Sequence, residues 1–213
     1  MRTEQLIEML STNVEPVDGR KLQATLAWAV VLGGAAAFCL MLSTVSLRGD
    51  LASGAGLGFV ALKLAFAMTV IGTGLAFLAR SIRPGLDART PFRLAWLPFI
   101  ALSIAAIAEL AFGFSTRPHP MTAGTHWLLC LYCIPLFAAI PFVLLVLALR
   151  GGAPTHLTRT GAIAGLVAGA VGAAAYAFHC PDDSLPFIAL WYGASIVFCA
   201  AIGAMLGPRL LRW

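Results

Sequence analysis

Six long apolar stretches, joined by short polar connections, dominate this chain and restrict it to one kind of fold. They cover roughly residues 24–45, 57–79, 94–112, 126–149, 160–178 and 187–206. A helix needs about 20 mostly apolar residues to cross the hydrocarbon core of a bilayer. Each stretch is about that long. Soluble domains carry about 25% charged residues; this chain carries 11%, nearly all outside the six stretches. Lipid offers no partner to backbone amides, so a spanning segment must be a helix or part of a closed barrel. Barrel strands read as alternating segments of about ten residues, a pattern this sequence lacks. The expected fold is all-α. It is a polytopic membrane protein with a six-transmembrane-helix bundle over 24–213 and a short cytoplasmic N-terminal segment over 1–23. That segment is polar and partly acidic, without the short apolar core of a signal peptide. The first span is therefore expected to stay in the mature chain.

Basic residues set the expected orientation. With the N-terminus inside, eleven of the fourteen Lys and Arg residues fall in cytoplasmic pieces. Only Arg48 and Arg117 fall outside, and Lys63 lies within a span. Such a bias follows the positive-inside rule. It places both termini in the cytoplasm and the loops near 46–56, 113–125 and 179–186 on the opposite side. It also accounts for the net charge of +5 without a nucleic-acid partner. The bilayer is the partner that composition requires, and the sequence assigns no oligomeric state.

The N-terminal segment carries one recognisable pattern. Leu6, Ile7 and Leu10 form an apolar stripe, with Glu4 and Glu8 on the other side. A short amphipathic helix over about residues 3–10 is expected, too short to be stable alone in water. It reads either as a tail lying on the membrane or as a tethered peptide that docks in a groove of a cytoplasmic partner. Within the bundle, Gly161, Gly165, Gly169 and Ala173 recur every fourth residue, and Gly203 and Gly207 repeat the spacing. Small residues so placed allow close helix contact. Pro135 and Pro141 favour kinks in the fourth span.

Sulfur is distributed unevenly. Cys39, Cys130, Cys133 and Cys180 all fall toward the outer side, with His119, His126, His179, Asp182 and Asp183; only Cys199 lies in the inner half. The outer side is where oxidation is permitted, and Cys with His suits zinc- or copper-like ions. Cys39 and Cys199 read as small apolar fillers. Cys180 lies in a polar junction, and Cys130 about one turn below the surface. Cys130 and Cys133 form a CxxC on one helix face, open to a redox or a metal reading. Lys63 and Glu109 are the charges inside spans. Such residues are functional candidates by default, and an ion pair between them is expected, with snorkelling to the interface as the competing reading. No nucleophile–base set, phosphate loop or enclosed carboxylate pair points to an enzyme.

Several signatures then coincide. They are Glu15-Pro16-Val17, the Arg150-Gly151-Gly152-Ala153-Pro154-Thr155 loop, the glycine-rich fifth span, Ala177-Phe178-His179-Cys180-Pro181-Asp182-Asp183, Trp191-Tyr192 and Leu211-Arg212-Trp213. Together they resemble the NrsF family of bacterial inner-membrane anti-sigma factors. The resemblance implies a multi-pass inner-membrane protein that sequesters an extracytoplasmic-function sigma factor and releases it under heavy-metal or oxidative stress. It implies that Cys130 and Cys180 are the sensing thiols and the ligands of any transient heavy-metal ion, with no resident cofactor. Cys133, His179, His126 and Asp182 are the accessory candidates. Leu6, Ile7, Leu10, Glu15, Pro16 and Val17 are the expected sigma-factor contacts. The rival readings are a membrane thiol–disulfide oxidoreductase using Cys130, Cys133 and Cys180 or Cys39, and a small transporter using Lys63 and Glu109.

Overall fold

The computed structural model describes Thr3, residues 19–51, Gly54, residues 56–82, 93–112 and 124–152, Pro154 and residues 156–212. Among these, all regular structure is helical. The helices are α1 (Gly19–Thr44), α2 (Leu57–Ser81), α3 (Leu97–Phe112), α4 (Trp127–Arg150), α5 (Leu157–Tyr176) and α6 (Leu185–Leu210). Leu6, Ile7, Leu10, Glu15, Pro16 and Val17 lie outside the described residues. The first helix starts at Gly19, inside the expected tail. Arg20, Lys21, Leu22 and Gln23 are all good helix formers, so the helix extends past the apolar run.

Five helices are long and apolar enough to cross a membrane. The third differs from its expected 94–112 range. A turn at Ala95 and Trp96 interrupts the chain, and Pro98, lacking an N–H, is tolerated only in a first helical turn. The regular helix therefore begins at Leu97 and has 16 residues. At 1.5 Å per residue it is about 24 Å long, short of the roughly 30 Å hydrocarbon core.

The fifth helix is the centre of the bundle, touching α1, α2, α4 and α6. Its glycines explain why. A methyl on Gly161 would lie 2.6 Å from Gly207 Cα, and one on Gly165 would lie 3.1 Å from Gly203 Cα. The two backbones therefore meet directly along α5 and α6. On another face, Gly172 leaves room for the α4 backbone at Ile134 and Ala138. On a third, Gly74 of α2 lies against Val167. Gly33 of α1 takes Pro141 of α4, whose Cα would lie 2.8 Å from an added methyl. In contrast, α3 is peripheral, with only Leu102 and Ala106 buried, and it packs mainly against the first turn of α6.

Contacts among the loops define two ends. At one, Arg150 Nε donates to Leu210 O at 2.7 Å, joining the ends of α4 and α6. The ends of α1, α3 and α5 and the starts of α2, α4 and α6 gather at the other, where the polar side chains converge.

Candidate functional site

The site is built around the break between α5 and α6. After Tyr176 the chain continues for one more turn, in which Cys180 N–H donates to Tyr176 O at 3.2 Å. Pro181 cannot donate and disfavours helix in the residue before it, so this last turn after α5 goes no further than Cys180. Cys130 lies in the first turn of α4, its N–H bonded to His126 O at 3.0 Å. Both cysteines are fully buried. Their thiols are free rather than bridged and hydrogen-bond to each other. The neighbouring Cys130 thiol holds the Cys180 thiol below its ordinary value, against burial and with help from the Lys63 charge. Thiolates are the nucleophiles and metal ligands among cysteine forms. The pair can therefore form a disulfide or hold a soft cation between two sulfurs. Among the described residues no cluster of three or more His, Cys, Asp or Glu side chains is arranged for a metal.

Two buried cations hold the Cys180 loop. Lys63, whose side chain is fully buried, donates to Cys180 O at 2.9 Å and to Asp183 Oδ1 at 3.0 Å. Its ammonium also lies 5.7 Å from the centroid of the Tyr192 ring, within cation–π range. Arg48, between α1 and α2, grips Asp50 with Nε and Nη2, both at 2.6 Å. It grips Asp183 with Nη1 at 3.0 Å and Nη2 at 2.6 Å, and donates from Nη1 to Cys180 O at 3.0 Å. Bidentate, charge-assisted bonds of this kind are the strong ones. Asp50 first and Asp183 second push the Arg48 guanidinium up from its ordinary value. Arg48 in turn holds the Asp50 carboxyl below its usual range. Two cations and two carboxylates balance.

The sequence expectation of a Lys63–Glu109 pair is therefore corrected. Lys63 pairs with Asp183, while Glu109 Oε2 accepts from Leu185 N–H at 2.9 Å and caps the start of α6. An acidic group at a helix N-terminus satisfies a free amide and favours the dipole. Asp182 does the same for α4, accepting from Thr125 N–H at 3.2 Å and His126 N–H at 2.8 Å. His126 Nδ1 also lies 3.4 Å from Asp182 Oδ2. His179 bonds through Nδ1 to Ser46 O at 2.6 Å, and its ring meets His126 edge-on, with centroids 6.5 Å apart. Of the accessory candidates, His179 and Asp182 thus lie in the loop that carries Cys180, and His126 packs against it from the start of α4. Cys133 lies one turn deeper on α4, also buried. Cys39 is exposed on α1 rather than buried as expected, and Cys199 is buried against Gly165 and Gly169.

Sequence reasoning overlooked Tyr176, Tyr192 and the roles of Arg48 and Asp183. Both tyrosine hydroxyls are buried without a hydrogen-bond partner of ordinary geometry among the described residues. The Tyr176 hydroxyl faces Cys130, and the Tyr192 hydroxyl faces Cys180. Tyr192 closes the π-helical turn Ile188–Tyr192 of α6. Such turns insert a residue into a helix, commonly at functional sites. A signal for Arg48 was present in the sequence. It is one of two basic residues expected on the side that the charge bias depletes.

Comparison with known proteins supports a family assignment. A family model described as "Negative regulator of sigma F" matches residues 10–213. The chain is 33% identical to the probable anti-sigma-F factor NrsF of Azospira oryzae over 213 residues, covering all of both chains. It is 34% identical to the anti-sigma-F factor NrsF of Caulobacter vibrioides over 229 aligned residues, again covering all of both. No solved structure matches. A full-length match at this identity, together with the family model, places this chain in the NrsF family of negative regulators of sigma F.

Proposed function

We propose that this protein is a bacterial inner-membrane anti-sigma factor. It holds an extracytoplasmic-function sigma factor at the membrane and releases it when heavy metals or oxidants reach Cys130 and Cys180. In this reading all six helices cross or enter the bilayer and both termini are cytoplasmic. Residues 1–22 bind the sigma factor, with Leu6, Ile7 and Leu10 as apolar anchors and Glu15-Pro16-Val17 completing the contact. The observation that carries the reading is the buried Cys130–Cys180 pair, which joins the start of α4 to the end of α5. A disulfide or a bound soft cation would change the spacing of those two elements. Cys133, His126, His179 and Asp182 tune the same junction.

Release requires that the sulfur event lower the affinity of the inner segment. A 100-fold loss corresponds to about 2.7 kcal/mol of coupling. A few altered contacts at the inner end of the bundle would supply that. Two experiments test the proposal. Pull-down of the sigma factor should fail when residues 1–22 are deleted; retained binding refutes the assigned contact. Cys130→Ser and Cys180→Ser should each abolish induction of target genes by metal or oxidant; unchanged induction removes these thiols from the mechanism.

A further inference from the structure

Lys63 lies on α2, a helix that contributes no cysteine, yet both of its hydrogen-bond acceptors among the described residues belong to the Cys180 loop. Its ammonium also faces the Tyr192 ring. A buried ammonium is costly, and replacing a buried ion pair with apolar side chains is often neutral or stabilising. Stability alone therefore gives a weak reason for a lysine here. What Lys63 does that an apolar residue cannot is bind the carbonyl of Cys180 itself. That residue lies just past the end of α5, where no continuing helix fixes its orientation. Arg48 reaches the same carbonyl from the side of the Asp50 carboxylate, and divides its donors among Asp50, Asp183 and Cys180. Lys63 approaches from within the bundle and directs its donors to Cys180 and Asp183.

We propose that Lys63 is the positioning residue of the thiol pair: by binding the Cys180 carbonyl and the Asp183 carboxylate together, it holds the Cys180 sulfur against the Cys130 sulfur. The inference rests on the reading of these two cysteines as the working sulfurs, and it concerns their geometry rather than their signal. Positioning of two thiols is measured by the equilibrium of their disulfide, because a well-placed pair has a high effective concentration.

The test uses the full chain in detergent micelles, with Cys39, Cys133 and Cys199 replaced by serine. The protein is equilibrated in glutathione buffers. There two protein thiols and one glutathione disulfide exchange to one protein disulfide and two molecules of glutathione. Alkylation and mass measurement then count the free thiols. Lys63→Met is expected to lower the equilibrium constant for the Cys130–Cys180 disulfide at least tenfold. Lys63→Met/Asp183→Asn removes both charges of the pair, leaves Arg48 balanced by Asp50, and is expected to show the same loss. Gly203→Ala disturbs α6 away from the thiols and is expected to stay within threefold of the parent. An unchanged or raised constant in both Lys63 variants overturns the proposal, as does an equal loss in Gly203→Ala. Failure of the sensor reading looks different: serine variants that leave target-gene induction intact would remove the signal, while the tenfold loss in Lys63→Met would still stand.

Discussion

The buried cluster makes a quantitative prediction at Asp183. Its carboxylate, 6% exposed, accepts three charge-assisted bonds, two from Arg48 and one from Lys63. Asp50 accepts two bonds from the same Arg48, but is 40% exposed. If burial sets the cost, the two carboxylates should differ sharply despite similar bonding. Asp183→Asn leaves Lys63 and Arg48 close together, with Asp50 as the carboxylate among the described residues that still pairs with Arg48. Removing one partner of a buried pair costs roughly 3–5 kcal/mol. The Cys180 carbonyl still accepts from both cations, so the lower end, about 3 kcal/mol, is expected. Asp50→Asn exposes its loss to water, which screens it, and the shift should be far smaller. Unfolding of the purified protein by sodium dodecyl sulfate, followed by helical circular dichroism, measures both. Equal destabilisation by the two variants, or no effect of Asp183→Asn, would refute the argument that burial controls this network.

Other expectations follow from the same structure. Alkylation of Cys180, measured with Cys39, Cys133 and Cys199 replaced by serine, should accelerate with rising pH and level off at a lower pH than for an ordinary cysteine, because the thiolate reacts and the neighbouring Cys130 favours it; Cys130→Ala removes that neighbour and should move the midpoint upward. Gly203→Ala places a methyl 3.0 Å from Gly165 Cα and onto the Gly161 carbonyl, so overpacking should cost about 1–3 kcal/mol in the same unfolding assay, whereas Gly72→Ala, with nothing within 4 Å, should be neutral. Tyr192→Phe removes a buried hydroxyl without an ordinary partner; such a group costs roughly 1–3 kcal/mol, so the variant should be more stable than the parent, and a loss of stability would show that the Cys180 sulfur is a better acceptor than its geometry suggests.

Much of the fold is written in hydropathy. Five apolar stretches match α1, α2, α4, α5 and α6 because length and polarity alone decide a spanning helix. The shortening of α3 has a local cause in Pro98 and the preceding turn, which an average over 20 residues hides. The spacing of Gly161, Gly165 and Gly169 marked a packing face, but not its partner. Which helices are neighbours is a property of three-dimensional packing, and there the reading of charges failed. Lys63 and Glu109 occupy similar depths, so a pair between them was reasonable from sequence. In the folded chain α2 lies on the central α5, while α3 stands at the edge against α6. Lys63 therefore meets the loop after α5, and Glu109 meets the start of α6. The thiol pair was legible as two outer cysteines, yet the tyrosines beside it were not, because a tyrosine in an apolar run looks like any core aromatic.

The glycine seam between α5 and α6 has a mechanical consequence. With main chain pressed on main chain at Gly161 and Gly165, and only the small Cys199 side chain set against Gly169, little compliant packing separates the two helices along this stretch. They can tilt together, but neither can swivel alone without prising the seam apart. A displacement carried along α5 is therefore expected to take the adjoining stretch of α6 with it.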